Sequence, residues 1–105
     1  MTATKIHTVN SNSTSINGTH YLGYVNITYD ELVRTLGQPK EGSADGKTTC
    51  EWHVEFEDGS VATVYDWKVG YTPKNLHDWH VGGRSGVALN HLEEVLEKQI
   101  IRSKY

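Results

Sequence analysis

The chain has 105 residues, which suffice for one compact domain but not for two, so a two-domain enzyme is excluded. Ten Lys and Arg residues against thirteen Asp and Glu residues give a formal charge of −3, so no general positive field would attract nucleic acid or an anionic membrane. We therefore expect no direct nucleic-acid or membrane binding. Because Cys50 is the single cysteine and no apolar run approaches the ~20 residues of a membrane span, we expect a reduced, cytoplasmic protein.

Residues 1–20 are predicted to be a flexible tail, and residues 21–105 a single domain. The segment from Thr8 to His20 is rich in Asn, Ser and Thr, and it offers too little apolar surface to offset the entropy of ordering. Within this tail, Lys5 to Val9 could add a short edge strand, a point that the pattern leaves open.

The predicted domain begins with a strand and a helix. Aromatic and β-branched residues from Tyr21 to Ile27 favour a strand. Thr28 has Glu31 three residues later, which is the spacing of a capping box, and Gly37 is a stop signal. The apolar stripe of this helix consists of Leu32, Val33 and Leu36. Residues 40–47 are predicted to be a loop.

A β-hairpin is the strongest local pattern in the chain. Apolar and polar residues alternate before and after Asp58-Gly59, a dipeptide typical of tight turns. A two-residue loop there would pair Phe56 with Val61. On this register eight residues share the buried face: Cys50, Trp52, Val54, Phe56, Val61, Thr63, Tyr65 and Trp67.

A further strand and a second helix complete the predicted domain. The segment from Leu76 to Val81 alternates like a strand, and after Gly82-Gly83 a helix begins near Ser85 or Gly86 and runs to about Ile101. The element order β-α-β-β-β-α predicts an α+β fold of two layers, with a mainly antiparallel sheet of about four strands and two helices.

No catalytic residue, metal site or cofactor is predicted, so we expect a protein that is not an enzyme. His77 and His80 flank Asp78, but residues three apart in a strand point to opposite faces, and one zinc ion could not easily bind both imidazoles. Cys50 lies in the middle of a strand on the predicted core face, where thiols are usually inert.

The candidate ligand site is the segment from Asp78 to Gly86. Backbone N–H groups at the start of the predicted helix could converge on an anion, and Arg84 could add a bidentate donor. Alternatively, the glycines only permit a sharp turn and Ser85 only caps the helix. Three Trp and six Tyr residues against one Phe suit stacking on a planar ligand. The predicted ligand-binding residues are Gly82, Gly83, Arg84, Ser85, Trp79, Tyr71 and Lys68.

Three blocks of sequence carry a resemblance to a known family. The first helix ends in LGQP, the hairpin reads EWHVEFEDGSVATVYDWK, and WHVGG precedes the last helix. From Leu22 to Leu96 the chain resembles a family of short proteins encoded by tailed phages. It is similar to the small proteins that phages use against host immunity, and most resembles the Thoeris anti-defence sponges that sequester a cyclic ADP-ribose signal. The ligand residues of those sponges do not align onto this chain one by one, so none is carried over.

The resemblance implies a phage-encoded anti-defence protein of the host cytoplasm. It would bind and sequester a nucleotide-derived immune signal, either cyclic ADP-ribose-like or a cyclic oligonucleotide, without turnover. A homo-oligomer suits this role, because a domain of this size has little concavity of its own. The alternative is an anti-CRISPR-like inhibitor that binds a host defence protein through an acidic hairpin face comprising Glu51, Glu55, Glu57 and Asp58.

Overall fold

Seven antiparallel strands form one sheet in the computed structural model, which describes residues 5–103. In chain order the elements are β1 (Ile6–Val9), β2 (His20–Ile27), α1 (Tyr29–Leu36), β3 (Lys40–Glu41), β4 (Cys50–Phe56), β5 (Val61–Tyr65), β6 (His77–Gly83), α2 (Gly86–Leu96) and β7 (Ile100–Arg102). The strands lie in the order β1-β4-β5-β6-β2-β7, and β3 pairs with β4. Both helices contribute to one core on the same face of the sheet.

The prediction of about four strands in the order β-α-β-β-β-α was wrong, because three short strands join the sheet. β1 pairs with β4, β3 pairs with β4 within the predicted loop, and β7 pairs with β2 where a helix was predicted to end. These strands have four, two and three residues. These segments are too short to show an alternation of apolar and polar residues. They are strands because they pair with longer strands of the sheet.

The second helix ends at Leu96 rather than near Ile101. Glu97 adopts a left-handed backbone with φ of 55°, and its N–H donates to the carbonyl of Glu93. The side chain of Glu93 then accepts a hydrogen bond of 2.8 Å from the N–H of Ile100, where β7 begins. Ile100 is buried as the sequence predicted, but it reaches the core from a strand.

Part of the segment predicted as a flexible tail is paired in the sheet. β1 is the edge strand that the pattern of Lys5 to Val9 left open. Asn10 extends this pairing, because its Oδ1 accepts the His53 N–H at 2.7 Å and its own N–H donates to the His53 carbonyl at 2.8 Å. Residues 1–4 and 104–105 lie outside the described residues. The flexibility of the tail in solution stays a prediction.

The capping signals of the first helix are confirmed. Thr28 Oγ1 accepts a hydrogen bond of 3.1 Å from the Glu31 N–H at the start of α1. Gly37 ends the helix with φ of 89°, and its N–H donates to the carbonyl of Val33. A positive φ favours glycine, so the sequence signal has a direct conformational cause.

The hairpin forms where it was predicted, but its loop has three residues instead of two. Gly59, with φ of 88°, donates its N–H to the Phe56 carbonyl, and the Phe56 N–H donates to the Ser60 carbonyl. This is the geometry of a type I turn followed by a left-handed glycine bulge. The loop therefore comprises Glu57-Asp58-Gly59, and the register differs by one residue from the prediction.

This shift turns every side chain of β5 to the face opposite to the predicted one. Trp52 pairs with Val64 and Val54 with Ala62, so these four residues share the core face. The β4 residues were predicted correctly and are buried: Cys50, Trp52, Val54 and Phe56. The prediction for the second half of the hairpin was wrong, because Val61, Thr63, Tyr65 and Trp67 do not join that face.

The centre of the core is a pair of tryptophans from β4 and β6. The rings of Trp52 and Trp79 meet edge to face with centroids 5.5 Å apart, and both residues are fully buried. The Trp52 indole donates to the Gly37 carbonyl at 2.8 Å, and the Trp79 indole to the Ile27 carbonyl at 3.2 Å. These bonds satisfy both polar N–H groups inside the core. Within residues 5–103, neither helix is long and apolar enough to cross a membrane.

Asp58 connects the hairpin loop to α2, and we expect its stabilising effect to disappear in acid. Its carboxylate accepts from the Ser60 N–H and Oγ at 2.9 and 2.6 Å and contacts His91 Nε2 at 2.7 Å. These hydrogen bonds, those of Ser60 above all, lower the pKa of Asp58 from 3.8 to about 2. A lowered folded-state pKa stabilises the fold above the unfolded-state value, and this stabilisation is lost as pH falls towards about 2.

Urea unfolding of the wild type and of Asp58→Asn at about pH 5 and about pH 2 tests this linkage. The wild type should be the more stable protein at the higher pH, and the difference should be much smaller at the lower one. An equal difference at both pH values would contradict the assignment.

Candidate functional site

A cleft lies on the face of the sheet that the helices leave uncovered. Its volume is about 310 Å³, within the range of roughly 300–1,000 Å³ that is typical of small-molecule pockets. β4 and β5 form its floor, and the segment before β2 and the loop before β4 form its sides. The described lining residues are Ile16, Thr19, His20, Ser43, Asp45, Lys47, Thr48, Glu51, His53, Thr63, Tyr65 and Trp67.

Four rings form an aromatic cluster that continues the rim of this cleft: Tyr21, Tyr65, Trp67 and His80. The His80 ring lies at the centre of the cluster, with its centroid 4.7 Å from that of Tyr21 and 5.5 Å from that of Tyr65. It stacks on Trp67 at 6.2 Å with an interplanar angle of 22°. Tyr21 and Trp67 are 38% and 39% exposed. Exposed ring area of this kind can stack on a planar ligand.

The register of the sheet explains why these rings meet. Tyr65 is paired with His80 across β5 and β6, and the next pair on this face is Thr63 with Gly82. Tyr21 is paired with Gly82 from the neighbouring strand β2, and its ring contacts that of His80. The cluster thus combines rings from adjacent strands on the open face.

The cluster is uncharged near neutral pH. Burial, and then the charge of His77, lowers the pKa of His80, which keeps its imidazole neutral. Burial is also the main cause that raises the pKa of Tyr21 and of Tyr65, so both phenols stay protonated. The rings can therefore stack on a ligand without the cost of desolvating a charge.

Two lysines bring positive charge to the aromatic cluster. Lys68 Nζ lies 5.5 Å and Lys47 Nζ 5.9 Å from the centroid of the Trp67 ring. A backbone hydrogen bond of 2.6 Å from the Lys68 N–H to the Lys47 carbonyl keeps the two residues together. Lys68 has a left-handed backbone with φ of 56°. Lys47 Nζ also lies 3.8 Å from Asp45 Oδ2, so Lys68 is the less compensated of the two cations. In a chain of net negative charge, this pair can still attract an anionic group locally.

A hydrogen-bonded carboxylate lies in the floor of the cleft. Glu51 Oε1 is 2.8 Å from His53 Nε2, and Thr48 Oγ1 donates to Glu51 Oε2 at 2.6 Å. The hydrogen bond from His53 lowers the pKa of Glu51, partly against the effect of burial, and Thr48 adds to the lowering. Glu51 is therefore an ionised acceptor at neutral pH, fixed in position by two neighbours.

Arg84 fastens one wall of the cleft. Its Nε donates to the Asn17 carbonyl and its Nη2 to the Ser15 carbonyl, both at 2.8 Å. These carbonyls flank Ile16, which lines the cleft. The sequence predicted Arg84 as a donor to a ligand phosphate, but its bonds in the structure go to protein backbone. In the structure, Arg84 therefore holds this wall of the cleft in place.

The predicted glycines and serine next to Arg84 belong to the sheet and the helix cap. A Cβ at Gly82 would lie 2.6 Å from Thr63 Oγ1, and one at Gly83 would lie 3.1 Å from the Val61 carbonyl oxygen. Close approach of neighbouring strands therefore accounts for both glycines. Ser85 is the N-cap residue of α2, although its side chain makes no capping hydrogen bond.

The other three predicted binding residues have different positions. Trp79 is fully buried on the core side of β6, so it cannot contact a ligand in the cleft. Tyr71 is 71% exposed, and it is not among the described lining residues. Lys68 is not a described lining residue either, but its Nζ lies beside the ring of Trp67, which does line the cleft. The structure thus brings together only part of the predicted set, and it adds rings that the predicted hairpin register had assigned to the core.

No family model matches the chain, and no match was found among curated proteins or among solved structures. Within the described part of the chain, no group of three or more His, Cys, Asp and Glu residues could hold a metal ion. The support for a function comes from the chemistry of the cleft.

Proposed function

We propose that this protein binds and sequesters a nucleotide-derived small molecule in the cleft on the open face of the sheet, without chemical turnover. The observation that supports this role best is the partly exposed Trp67 ring, stacked on His80 and flanked by Lys47 and Lys68. A planar base can stack on the exposed ring area, and a phosphate can bind the ammonium groups beside it.

Binding without catalysis is consistent with the environment of the single cysteine. Cys50 is buried, and burial, with the nearby charge of Asp66, raises the pKa of its thiol. A protonated, buried thiol is a poor nucleophile.

The biological role proposed here combines this chemistry with the resemblance to phage anti-defence proteins. A phage protein in the host cytoplasm would withdraw a cyclic ADP-ribose-like or cyclic oligonucleotide signal from the immune response. A cleft of about 310 Å³ is small for signals of this size. A homo-oligomer in which a second copy covers the cleft would enclose the rest of the ligand, so we include self-association in the proposal.

The acidic hairpin face has less support as a protein-binding surface. Glu51 faces the cleft and bonds to His53, Glu55 accepts a hydrogen bond of 2.9 Å from Thr14 Oγ1, and Asp58 is held by Ser60. A row of carboxylates that imitates nucleic-acid phosphates should be free to meet basic groups. Three of the four are engaged within the chain, and the fourth, Glu57, is exposed in the hairpin loop.

Calorimetric titration with ADP, cyclic ADP-ribose and cyclic di-AMP tests the proposed function. At least one of these compounds should bind the wild type, and Trp67→Ala should weaken that binding. Loss of a stacked base costs about 1–3 kcal/mol, which corresponds to a roughly 5- to 150-fold increase in Kd.

Tyr71→Ala is the matched control, because it removes an exposed aromatic side chain that does not line the cleft. Its Kd should equal that of the wild type. If Tyr71→Ala weakens binding as much as Trp67→Ala, the ligand does not bind in the cleft. If none of the compounds binds at about millimolar concentration, the proposed function fails.

A further inference from the structure

We propose that Glu51 binds the vicinal hydroxyl groups of a ligand ribose, so that the cleft selects ribonucleotides over their 2′,3′-dideoxy forms. This inference rests on the proposed function and names the part of the ligand that the floor of the cleft recognises. It depends on three features of the site. The carboxylate lies next to the aromatic cluster, it has unused acceptor capacity, and its charge is opposite to that of the lysines that attract phosphate.

Glu51 lies one strand away from the first ring of the aromatic cluster. It is paired with Tyr65 across β4 and β5, and both side chains line the cleft. Directly paired residues have Cβ atoms about 4.5–5.5 Å apart. The Tyr65 ring in turn lies 6.1 Å from Trp67 and 5.5 Å from His80. A base stacked on the exposed rings therefore places its attached sugar within reach of the floor.

The carboxylate of Glu51 has acceptor capacity that the protein does not use. Each oxygen has one protein partner, His53 for Oε1 and Thr48 for Oε2. An ionised carboxylate has about four lone-pair sites, so each oxygen can accept a further hydrogen bond. Its side chain is 20% exposed, and part of it faces the cleft. Two adjacent oxygens match the spacing of two vicinal hydroxyl donors, and carboxylates bind ribose hydroxyls in dinucleotide-binding folds.

The charges of the site indicate which part of a nucleotide would contact Glu51 and which part would contact the lysines. A carboxylate repels phosphate, whereas Lys47 and Lys68 beside Trp67 attract it. The hydrogen bonds from His53 and Thr48 favour the ionised form of Glu51, which accepts hydroxyl protons and donates none. Hydroxyl and amino groups are the neutral donors of a nucleotide. The amino group belongs to the base, which stacks on the aromatic cluster, so the vicinal ribose hydroxyls are the donors that suit the two oxygens of Glu51.

Titration of the unmodified protein with ADP and with 2′,3′-dideoxy-ADP tests this inference without any substitution. We expect ADP to bind at least about tenfold more tightly, because hydrogen bonds to a charged group contribute to its binding alone. Equal binding of the two compounds, or binding of neither, overturns the role of Glu51. The proposed function fails only if cyclic ADP-ribose and cyclic di-AMP do not bind either.

Glu51→Gln identifies the group responsible for the selection. This variant should bind dideoxy-ADP as the wild type does and should lose the preference for ADP. Glu55→Gln is the matched control, since Glu55 lies on the same face of β4 but does not line the cleft, and it should keep the full preference. If Glu51→Gln retains the preference for ADP over dideoxy-ADP while its thermal unfolding is unchanged, another group binds the ribose hydroxyls and the inference is wrong.

Discussion

Trp52→Ala is expected to lower the free energy of unfolding by about 3–5 kcal/mol, the range for removing a large aromatic side chain from a core. Trp52 is fully buried, and its ring contacts those of Trp79 at 5.5 Å and Tyr29 at 5.9 Å. The substitution also removes the 2.8 Å hydrogen bond from the Trp52 indole to the Gly37 carbonyl at the end of α1. Urea unfolding followed by tryptophan fluorescence or circular dichroism measures the loss.

Trp67→Ala is the matched control for Trp52→Ala, because both substitutions remove the same side chain from the same hairpin. Trp67 is 39% exposed on the open face, and its ring contacts are those of the aromatic cluster. We expect a loss of about 1 kcal/mol or less. Equal losses for the two variants would mean that both tryptophans are buried, as the two-residue loop had predicted, and would contradict the observed register.

Asp66→Ala is expected to destabilise the fold by about 3 kcal/mol, because it leaves buried donors without an acceptor. Asp66 is fully buried just after β5. Its carboxylate accepts from the Thr49 N–H at 2.7 Å, from Thr49 Oγ1 at 2.6 Å and from the Cys50 N–H at 3.3 Å. These bonds join the end of β5 to the start of β4, next to the loop that forms one side of the cleft.

Two further variants separate the role of this carboxylate from a general effect of charge. Asp66→Asn keeps one carbonyl oxygen for the two backbone donors, so its loss should lie between those of the wild type and Asp66→Ala. Glu94→Ala removes an exposed carboxylate from α2 and should change stability by no more than about 0.5 kcal/mol. Comparable losses for Glu94→Ala and Asp66→Ala would show that burial does not determine the effect.

Local signals predicted the parts of the fold whose cause is local. Thr28, Glu31 and Gly37 define the limits of α1, because a cap and a left-handed glycine act within one helical turn. The alternation along β4 identified its buried face for the same reason. The end of α2 could not be predicted from local signals. The chain turns at Glu97 so that β7, which begins at Ile100, pairs with β2, a strand that is distant in sequence.

The hairpin shows how one local ambiguity affects a whole site. Asp58-Gly59 suits both a two-residue loop and the last two positions of a three-residue loop, and Gly59 takes a positive φ that either loop accommodates. The choice inverts β5, and with it the assignment of Tyr65 and Trp67. Placing Ala62 and Val64 under the helices leaves the larger aromatic side chains on the open face.

The sequence by itself determined the helix caps, the presence and place of the hairpin, the buried face of β4, and an excess of Trp and Tyr that suits ligand stacking. It did not determine where the candidate site lies, because this site is built from side chains of β2, β4, β5 and β6 and from the loops beside them. Only the tertiary structure decided that Trp79 belongs to the core, that Arg84 holds a wall, and that Trp67, His80 and Glu51 share one face. The physical reason is that strand register and sheet order arise from pairing between distant segments, whereas capping, turn and alternation signals act within a few residues.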